Sequence, residues 1–438
     1  MTPHNELFNR TTTDERSTVT TPKKKLIEVS LPLEAINTAS VREKSIRHGH
    51  PSTLHLYWAR RPLATARAVL FAQLVDDPSA RPEEFPTVEE QDAERARLHA
   101  LMERLVVWEN SNDEELFREA REEIRKSNGG ELPAVLDPFA GGGSIPLEAQ
   151  RLGLEAHASD LNPLAVLINK ALIEIPPKFA GMEPVHPGGN EQNIYQRAEG
   201  LAEDVRYYGQ WMRDEAERRI GHLYPKAMAP DGTKHTVIAW IWARTVRSPN
   251  PANPIETPLV KSWWLSKKKG HEAWVRATVE DGRVHYEVVH NADGPTVDGT
   301  VGRKGAVSLA DSTPIDLAYI RAEARAGRMG AHLIAVVAEG PRGRIYLPPT
   351  PEHADVAKLA RPKDLPDAEL PEKALGFRVQ NYGFKRWVDL FTNRQLIALT
   401  TLSDLVTEAR EQVLADARAA GIPDGERLEK NGRGAQAY

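Results

Sequence analysis

The most constraining feature of the sequence is the stretch VLDPFAGGGSIPLEAQRLG, residues 135–153. A short apolar run ends at Asp137, three glycines follow, and the next residues have helical spacing. A second short run, EAHASD, ends at Asp160, 23 residues after Asp137. Strand, turn, helix and strand in this order predict a parallel βαβ unit of an α/β fold.

The glycines at 141–143 predict a turn that lies against a ligand. Glycine adopts positive φ without strain, and N–H groups at the start of the following helix can bind polar ligand atoms. An acidic residue about 20 positions beyond such a turn binds ribose hydroxyls in nucleotide sites, and Asp160 has that place. A dinucleotide and S-adenosylmethionine both remain open, although Pro146 replaces the third glycine of the dinucleotide motif. We expect Phe139, within the turn, to be buried or half-buried.

Composition excludes several classes of protein. The chain has no cysteine, so it has no disulfide, thiol nucleophile or cysteine-ligated zinc, which suits a reducing cytoplasm. No run approaches the length of a transmembrane helix, and we expect no membrane partner. The net charge is −5, yet residues 42–67 carry six Arg or Lys against one Glu. This basic island is either a phosphate-facing surface or a solvated helix face.

Changes in sequence pattern divide the chain into five segments. We expect a disordered arm at residues 1–25 and a helical N-terminal domain at 26–131. A cofactor-binding α/β portion with a long following helix is expected at 132–231, a β-rich insert at 232–350, and a linker with a helical return segment at 351–438. Asp281 and Gly282 predict a hairpin turn in the insert. Thr392 or Asn393 is the expected N-cap of the last helix.

Several blocks of the chain resemble a known family. DPFAGGGS resembles the DPFxGxG(T/S) signature of amino-methylating DNA methyltransferases, and SDLNP resembles the acidic motif of the same fold. Longer blocks resemble, in the same order, a bacterial family of adenine-specific DNA methylases with a zinc ribbon and an N-terminal domain of unknown function. These blocks are IEVSLPLEAINTASVREKSIRHGHPSTLHLYWARRPLATARAVLFAQLVDDP, PLVKSWWLSKKKG, AEARAGRMGAHLIAVVAEGPRGRIYLPPTPEH and NYGFKRWVDLFTNRQLIALTTLSDLV.

The resemblance implies a Rossmann-like S-adenosylmethionine-dependent methyltransferase sheet, with a helical N-terminal region and a β-rich, degenerate zinc-ribbon-like insert. The implied cofactor-binding residues are Asp137, Pro138, Phe139, Ala140, Gly141, Gly143, Ser144, Asp160, Leu161 and Asn162. A candidate cofactor lid or DNA contact precedes the turn and comprises His50, Pro51, Tyr57, Trp58, Arg60 and Arg61. The implied cofactor is S-adenosyl-L-methionine and the implied partner is DNA, in restriction–modification or phage defence.

The catalytic tetrapeptide of the family, (D/N/S)-P-P-(Y/F/W), has no counterpart here. The Pro-Pro pairs occur in IPPK and LPPT, which lack the acid or amide before the pair and the aromatic after it. The catalytic residues are therefore unknown. We expect a front part of a longer methyltransferase, or half of a split enzyme whose second chain carries the block, rather than an erased site. A non-catalytic cofactor- or DNA-binding subunit is the alternative, and a nucleotide-dependent oxidoreductase is a third.

The zinc ribbon of the family has also changed. Its cysteine pairs would fall in RSPNPANPIETPL and GAVSLADSTPI, where the residues are Ser248, Asn253, Ser308 and Asp311. Serine and asparagine are poor zinc ligands. We expect a ribbon-like fold without metal, held by its hairpins and by Trp240, Trp242, Trp263 and Trp264.

Two further segments contain arginine, and the second of them also contains aromatic residues. They are RAEARAGRMG at 321–330 and NYGFKRW at 381–387. For the first, a nucleic-acid contact and a solvated surface are equally open. For the second, core packing competes with a place near the substrate groove.

Overall fold

The computed structural model describes residues 23–189, 195–297, 299–341, 343–358, 361–373, 376 and 378–438. Within these residues the protein mixes helix and sheet, in agreement with the α/β class. The described residues divide into two compact units, a first with residues 23–184 and 195–202 and a second with residues 185–189 and those between 203 and 438. Residues 1–22 of the expected arm lie outside the described residues. Of the helices that the structure describes, none is long and apolar enough to cross a membrane.

Helices dominate the first unit. Its first four helices are α1 (Leu33–Glu43), α2 (Leu63–Leu74), α3 (Val88–Leu105) and α4 (Glu114–Ser127). The side chain of Thr87 caps α3 by accepting a hydrogen bond from Glu90 N. Helix α4 ends at Ser127 with Asn128 as its C-cap, and Gly129 and Gly130 follow with positive φ, which turns the chain away from the helix.

These helices share one apolar core with α5 (Ser144–Arg151), the helix after the glycine turn. Its fully buried members include Phe71, Leu98, Leu101, Met102, Leu105, Leu116, Ile124, Ala149 and Leu152. Burial of one large apolar side chain stabilises a fold by roughly 1.5–3 kcal/mol. The core therefore fixes α5, and with it the glycine turn, on the helical region.

The expected strand, turn, helix and strand are present. Strand β1 (Val135–Asp137) pairs in parallel with β2 (Ala156–Ala158), and α5 connects them. The next helices are α6 (Pro163–Asn169) and α7 (Ile175–Lys178), with one π-helical segment, Lys170–Glu174, between them. Asp137 lies opposite Ala158, so both strands end at the same edge.

Helix α8 (Glu199–Ile220) runs from the first unit into the second, which is rich in strands. The strands of the second unit are β3 (Ala227–Met228), β4 (Lys234–His235), β5 (Val237–Arg247), β6 (Glu256–Pro258), β7 (Trp264–Ser266), β8 (Ala273–Glu280), β9 (Arg283–Val289), β10 (Gly305–Val307), β11 (Pro314–Asp316), β12 (Gly330–Gly340) and β13 (Gly343–Leu347). The largest sheet has the order β13-β12-β5-β6 and is antiparallel, and a second has the order β7-β8-β9.

The hairpin expected at Asp281 and Gly282 is confirmed, because these two residues join β8 to β9. Their φ angles are 49° and 72°, the positive values that a two-residue type I′ turn requires. Trp263 is buried between the sheets, and Trp240 and Trp242 pack against a second apolar cluster. Trp264 lies under Lys267, whose Nζ is 5.4 Å from the ring centroid.

The described residues of the second unit also form the helices α9 (Leu317–Arg325), α10 (Pro351–Asp355) and α11 (Asn393–Ala419). The start of the segment expected to be a linker forms α10. There the buried His353 accepts a hydrogen bond from Trp240 Nε1 at 2.9 Å. Thr392 caps α11 by accepting a hydrogen bond from Gln395 N, which confirms one of the two expected N-caps.

Candidate functional site

The carboxyl ends of β1 and β2 bring the glycine turn and Asp160 together. Oδ2 of Asp160 accepts a hydrogen bond from Gly141 N at 2.8 Å, and Oδ1 accepts one from Asn162 N at 2.8 Å. Ala140 N donates to Ser159 O at 3.1 Å. Residues far apart in sequence are thus joined because parallel strands end at one edge.

The carboxylate of Asp160 is charged and half-buried. The N–H groups of Asn162 and Gly141 stabilise the negative form and hold the pKa of Asp160 below its usual range. Each oxygen accepts one of these hydrogen bonds and has capacity for another. The group can therefore accept hydrogen bonds from two neighbouring hydroxyls of a ligand.

The turn requires glycine at Gly141 and Gly143. Their φ angles are 50° and 77°, in the left-handed region that other residues rarely adopt. A Cβ on Gly141 would lie 3.1 Å from Tyr57 Cε1, and one on Gly143 would lie 2.9 Å from Asn169 Oδ1. The turn therefore packs closely against both side chains.

The start of α5 offers backbone donors. Among the described residues no acceptor receives the N–H of Gly142, Ser144 or Ile145. The hydroxyl of Ser144 donates to Arg61 O at 2.7 Å, which ties the helix start to the preceding segment. N–H groups at a helix start attract polar and negative ligand atoms.

The segment before the turn contacts it through Tyr57 and Arg60. A Cβ on Gly142 would lie 3.3 Å from Tyr57 Cβ and 3.8 Å from Arg60 Cγ. Trp58 stacks on Tyr57 with ring centroids 4.6 Å apart, and 76% of its surface is exposed. An open aromatic face therefore lies close to the glycine turn.

His50 and Pro51 have different surroundings. His50 is buried, with Nε2 at 3.5 Å from Glu43 Oε2 and its ring centroid 4.9 Å from that of Trp108. Glu43 accepts hydrogen bonds from the first two N–H groups of α2. Pro51 begins a short 3-10 turn. His50 therefore supports the start of α2 through Glu43.

The expectation that Phe139 is buried or half-buried is wrong, because its side chain is 86% exposed. The parallel sheet has two strands among the described residues, and these leave the outer side of the turn uncovered. Leu161 is fully exposed and Leu136 is 69% exposed. An apolar surface thus lies beside Asp160. Pro138, which follows β1, has its carbonyl oxygen 3.5 Å from Ser159 Oγ.

Asn169 belongs to the site and was missed in the sequence. Its Nδ2 donates to Gly141 O at 3.1 Å and to Ala165 O at 2.8 Å. Its Oδ1 is buried and has no hydrogen-bond donor among the described residues. The signal available was one amide inside the apolar run of α6, where a buried polar group needs a partner.

The positions expected for lost zinc ligands form two turns joined by a carboxylate. Nδ2 of Asn250 and Nδ2 of Asn253 donate to Asp311 Oδ2 at 2.6 and 3.1 Å. The hydroxyls of Ser248 and Ser308 each accept a hydrogen bond, 3.3 Å long, from the N–H two residues further on. Across the part of the chain that the structure describes, no group of three His, Cys, Asp or Glu could hold a metal ion.

Comparison with known proteins matches part of the chain to a family model without an assigned activity. A family model described as a protein of unknown function (DUF1156) matches residues 30–101. No curated protein and no solved structure matches the chain. The matched residues include α1, α2 and the segment whose Tyr57 packs on the glycine turn.

Proposed function

We propose that this chain binds S-adenosyl-L-methionine at the carboxyl ends of β1 and β2, as part of a DNA methyltransferase that acts on the N6 amine of adenine. The observation that carries the proposal is the 2.8 Å hydrogen bond from Gly141 N to Asp160 Oδ2. It brings a glycine-rich turn next to an acceptor for hydroxyl groups, which together suit an adenosyl ligand. The resemblance of DPFAGGGS and SDLNP to methyltransferase motifs favours the methyl donor over a dinucleotide.

The residues present fit this cofactor, because the N–H groups of Gly142, Ser144 and Ile145 have no acceptor among the described residues and are available to polar ligand atoms. Asp160 would accept hydrogen bonds from the ribose hydroxyls. Phe139 and Leu161 offer exposed apolar surface for the adenine ring. The frame around them consists of Asp137, Pro138, Ala140, Gly143, Ser144 and Asn162. When bound, the cofactor supplies a methyl group on a sulfonium.

The segment before the turn is proposed as a cofactor lid or a DNA contact. Trp58 is exposed beside the turn, and Arg60 and Arg61 follow it closely in the chain. Guanidinium groups suit phosphate, and an exposed indole suits a base or the adenine ring. His50 and Pro51 contribute by supporting the fold of this segment.

The finer description of the fold is part of the same proposal. We take β1 and β2 as the first strands of a Rossmann-like sheet, in line with their parallel pairing across α5. We take the β-rich region as a zinc-ribbon-like insert that folds without metal, supported by the two turns that Asp311 joins. A cytoplasmic role in restriction–modification or phage defence follows from the resemblance.

The catalytic step needs residues that this chain lacks. IPPK forms α7 and LPPT begins with the last residue of β13, and neither offers an acceptor for the amine and a ring for a flipped base. We therefore assign that block to a second chain or segment. The exposed Leu136, Phe139 and Leu161 favour this, because parallel sheets are normally covered on both faces. A non-catalytic cofactor- or DNA-binding subunit is the alternative.

Calorimetry on the full chain tests the cofactor. We expect S-adenosylmethionine to bind and NAD not to bind, and Asp160→Ala to weaken binding about tenfold or more, since a tenfold change is only about 1.4 kcal/mol. Asp231→Ala is the matched control, because Asp231 accepts a hydrogen bond from the N–H two residues on, as Asp160 does. The proposal is overturned if NAD binds and S-adenosylmethionine does not, or if Asp160→Ala binds S-adenosylmethionine with unchanged affinity.

Methyl transfer from labelled cofactor to DNA separates the two functional alternatives. We expect little or no transfer by the chain alone and transfer when a partner carrying the tetrapeptide is added. Strong methylation by the chain alone contradicts the assignment of catalysis to a second chain. Cofactor binding without transfer in the presence of such a partner favours the non-catalytic subunit.

A further inference from the structure

Two segments whose role the sequence left open lie side by side in the second unit. One is the end of α9 and the other is the loop at 381–387. A Cβ on Gly383 would lie 2.9 Å from Ala324 O, and Gly383 has a φ of 84°. Glycine at this position therefore lets the loop pack directly on α9.

Aromatic rings of the loop face two guanidinium groups. Cζ of Arg321 lies 5.9 Å from the ring centroid of Tyr382, and Cζ of Arg244, on β5, lies 5.4 Å from that of Phe384. A cation over a ring face is attracted to it, and it keeps its full charge. Arg325 is adjacent, since its Nε donates to Arg321 O at 3.3 Å. We call Arg244, Arg321 and Arg325 the arginine patch.

Other arginines near the patch are neutralised, whereas the patch is not. Nη2 of Arg328 lies 2.5 Å from Oε1 of Glu323. Arg386 forms ion pairs with Asp367 and Asp389. Within the described part of the chain, no carboxylate oxygen lies within 4.0 Å of a nitrogen of the three patch arginines. The patch thus carries positive charge that no carboxylate among the described residues offsets.

We propose that the arginine patch binds the sugar–phosphate backbone of double-stranded DNA. A guanidinium group donates two parallel hydrogen bonds to phosphate, and such contacts position a protein on a duplex without reading its sequence. A duplex fits better than a single strand, because the half-buried rings of Tyr382 and Phe384 each already face a guanidinium. Neither ring is an open platform for an unpaired base. The choice of DNA rests on the proposed function, but no patch residue belongs to the proposed cofactor site.

Salt-dependent binding of a labelled DNA duplex to the full chain tests this surface. The variant Arg244→Gln/Arg321→Gln/Arg325→Gln should bind about tenfold or more weakly at low salt. Its slope of log K against log salt, which is negative, should become less steep by about 0.9 for each phosphate that no longer binds a guanidinium group. Arg328→Gln is the matched control, because Arg328 lies on the same segment but is paired with Glu323. It should match the unsubstituted chain.

Substitution by lysine separates charge from geometry. Arg244→Lys/Arg321→Lys keeps both charges but loses the planar group over each ring, so we expect an unchanged slope and a severalfold weaker affinity. Arg244 and Arg325 are exposed, and their single glutamine variants give the same test if the triple variant unfolds. Each single variant should reduce the slope by about 0.9.

Three results would overturn the proposal. The first is that the unsubstituted chain does not bind the DNA duplex. The second is that the glutamine variants have the same slope and affinity as the unsubstituted chain. The third is that the chain binds single-stranded DNA, or an RNA duplex of equal length, more strongly than the DNA duplex. Cofactor binding by the triple variant should be unchanged. Loss of duplex binding in the triple variant, with cofactor binding retained, therefore concerns the patch alone. Failure of cofactor binding with duplex binding intact concerns only the proposed function.

Discussion

Arg67 on α2 and Glu148 on α5 form a buried ion pair, in which Nε lies 2.5 Å from Oε2 and the side chains are 1% and 0% exposed. Arg67 also donates to Leu105 O and, at 3.2 Å, to Ser111 Oγ. The other oxygen of Glu148 accepts a hydrogen bond from Arg151 at 2.6 Å. The helix that follows the glycine turn is therefore attached to α2 by charge as well as by apolar packing.

Removing one partner of this pair should be more costly than removing both. We expect Arg67→Met to lower the free energy of unfolding by about 3–5 kcal/mol, because it leaves a buried carboxylate short of donors. Arg67→Met/Glu148→Leu should lose less. Urea unfolding followed by circular dichroism measures both. The exposed pair of Arg118 and Glu115 provides the control, since Arg118→Met should cost under about 1 kcal/mol. A double variant as unstable as Arg67→Met contradicts this account.

Glu43 predicts a dependence of stability on pH. Burial raises the pKa of Glu43, but the nearby imidazole of His50 and hydrogen bonds from the N–H groups of Ala64 and Leu63 outweigh it, so the pKa lies below its usual 4.5. The stabilising contribution is therefore complete above pH 4.5 and is lost as the pH falls through the lower, folded-state value. We expect Glu43→Gln to flatten the acid side of a plot of thermal midpoint against pH. Glu34→Gln, at an exposed position on the same helix, should leave that plot unchanged.

The contact between Tyr57 and the glycine turn can be tested with two alanine variants. Gly141 and Gly129 have φ angles of 50° and 67°, so each substitution should cost roughly 1–2 kcal/mol in backbone strain. A Cβ on Gly129 has no neighbour within 4 Å, whereas one on Gly141 meets Tyr57. We expect Gly141→Ala to be less stable than Gly129→Ala and to bind S-adenosylmethionine more weakly. Equal behaviour in thermal unfolding and calorimetry would show that the contact is unimportant.

Asp311 should stabilise the β-rich region in place of a metal ion. The N–H and hydroxyl of Thr313, with the amides of Asn253 and Asn250, hold the pKa of Asp311 far below its usual range. We expect Asp311→Ala to lower the thermal midpoint, because the two turns lose their shared acceptor. Asp364→Ala, at an exposed position, is the control. Metal analysis should find no stoichiometric zinc, and a chelator should not change the unfolding of the unsubstituted chain.

The local features of the site were readable in the sequence, whereas its long-range contacts were not. The strand ends, the glycine turn and the place of Asp160 follow from patterns of a few residues. The exposure of Phe139 could not be read in the same way, because an aromatic residue after a strand is covered only if further strands pack over it. Arg244 drew no attention for a related reason. Its ring partner, Phe384, lies far away in the sequence, and only the folded second unit brings the two together.

The two N–H groups that hold Asp160 have a consequence for the speed and cost of recognition. A surface side chain ordinarily samples several rotamers, and immobilising it on binding costs about 0.5–1.5 kcal/mol. Here the hydrogen bonds from Gly141 and Asn162 have already selected one rotamer during folding. An arriving hydroxyl therefore meets an acceptor that needs no rearrangement. Affinity at this carboxylate should depend on the contacts made by the ligand and hardly at all on ordering of the protein.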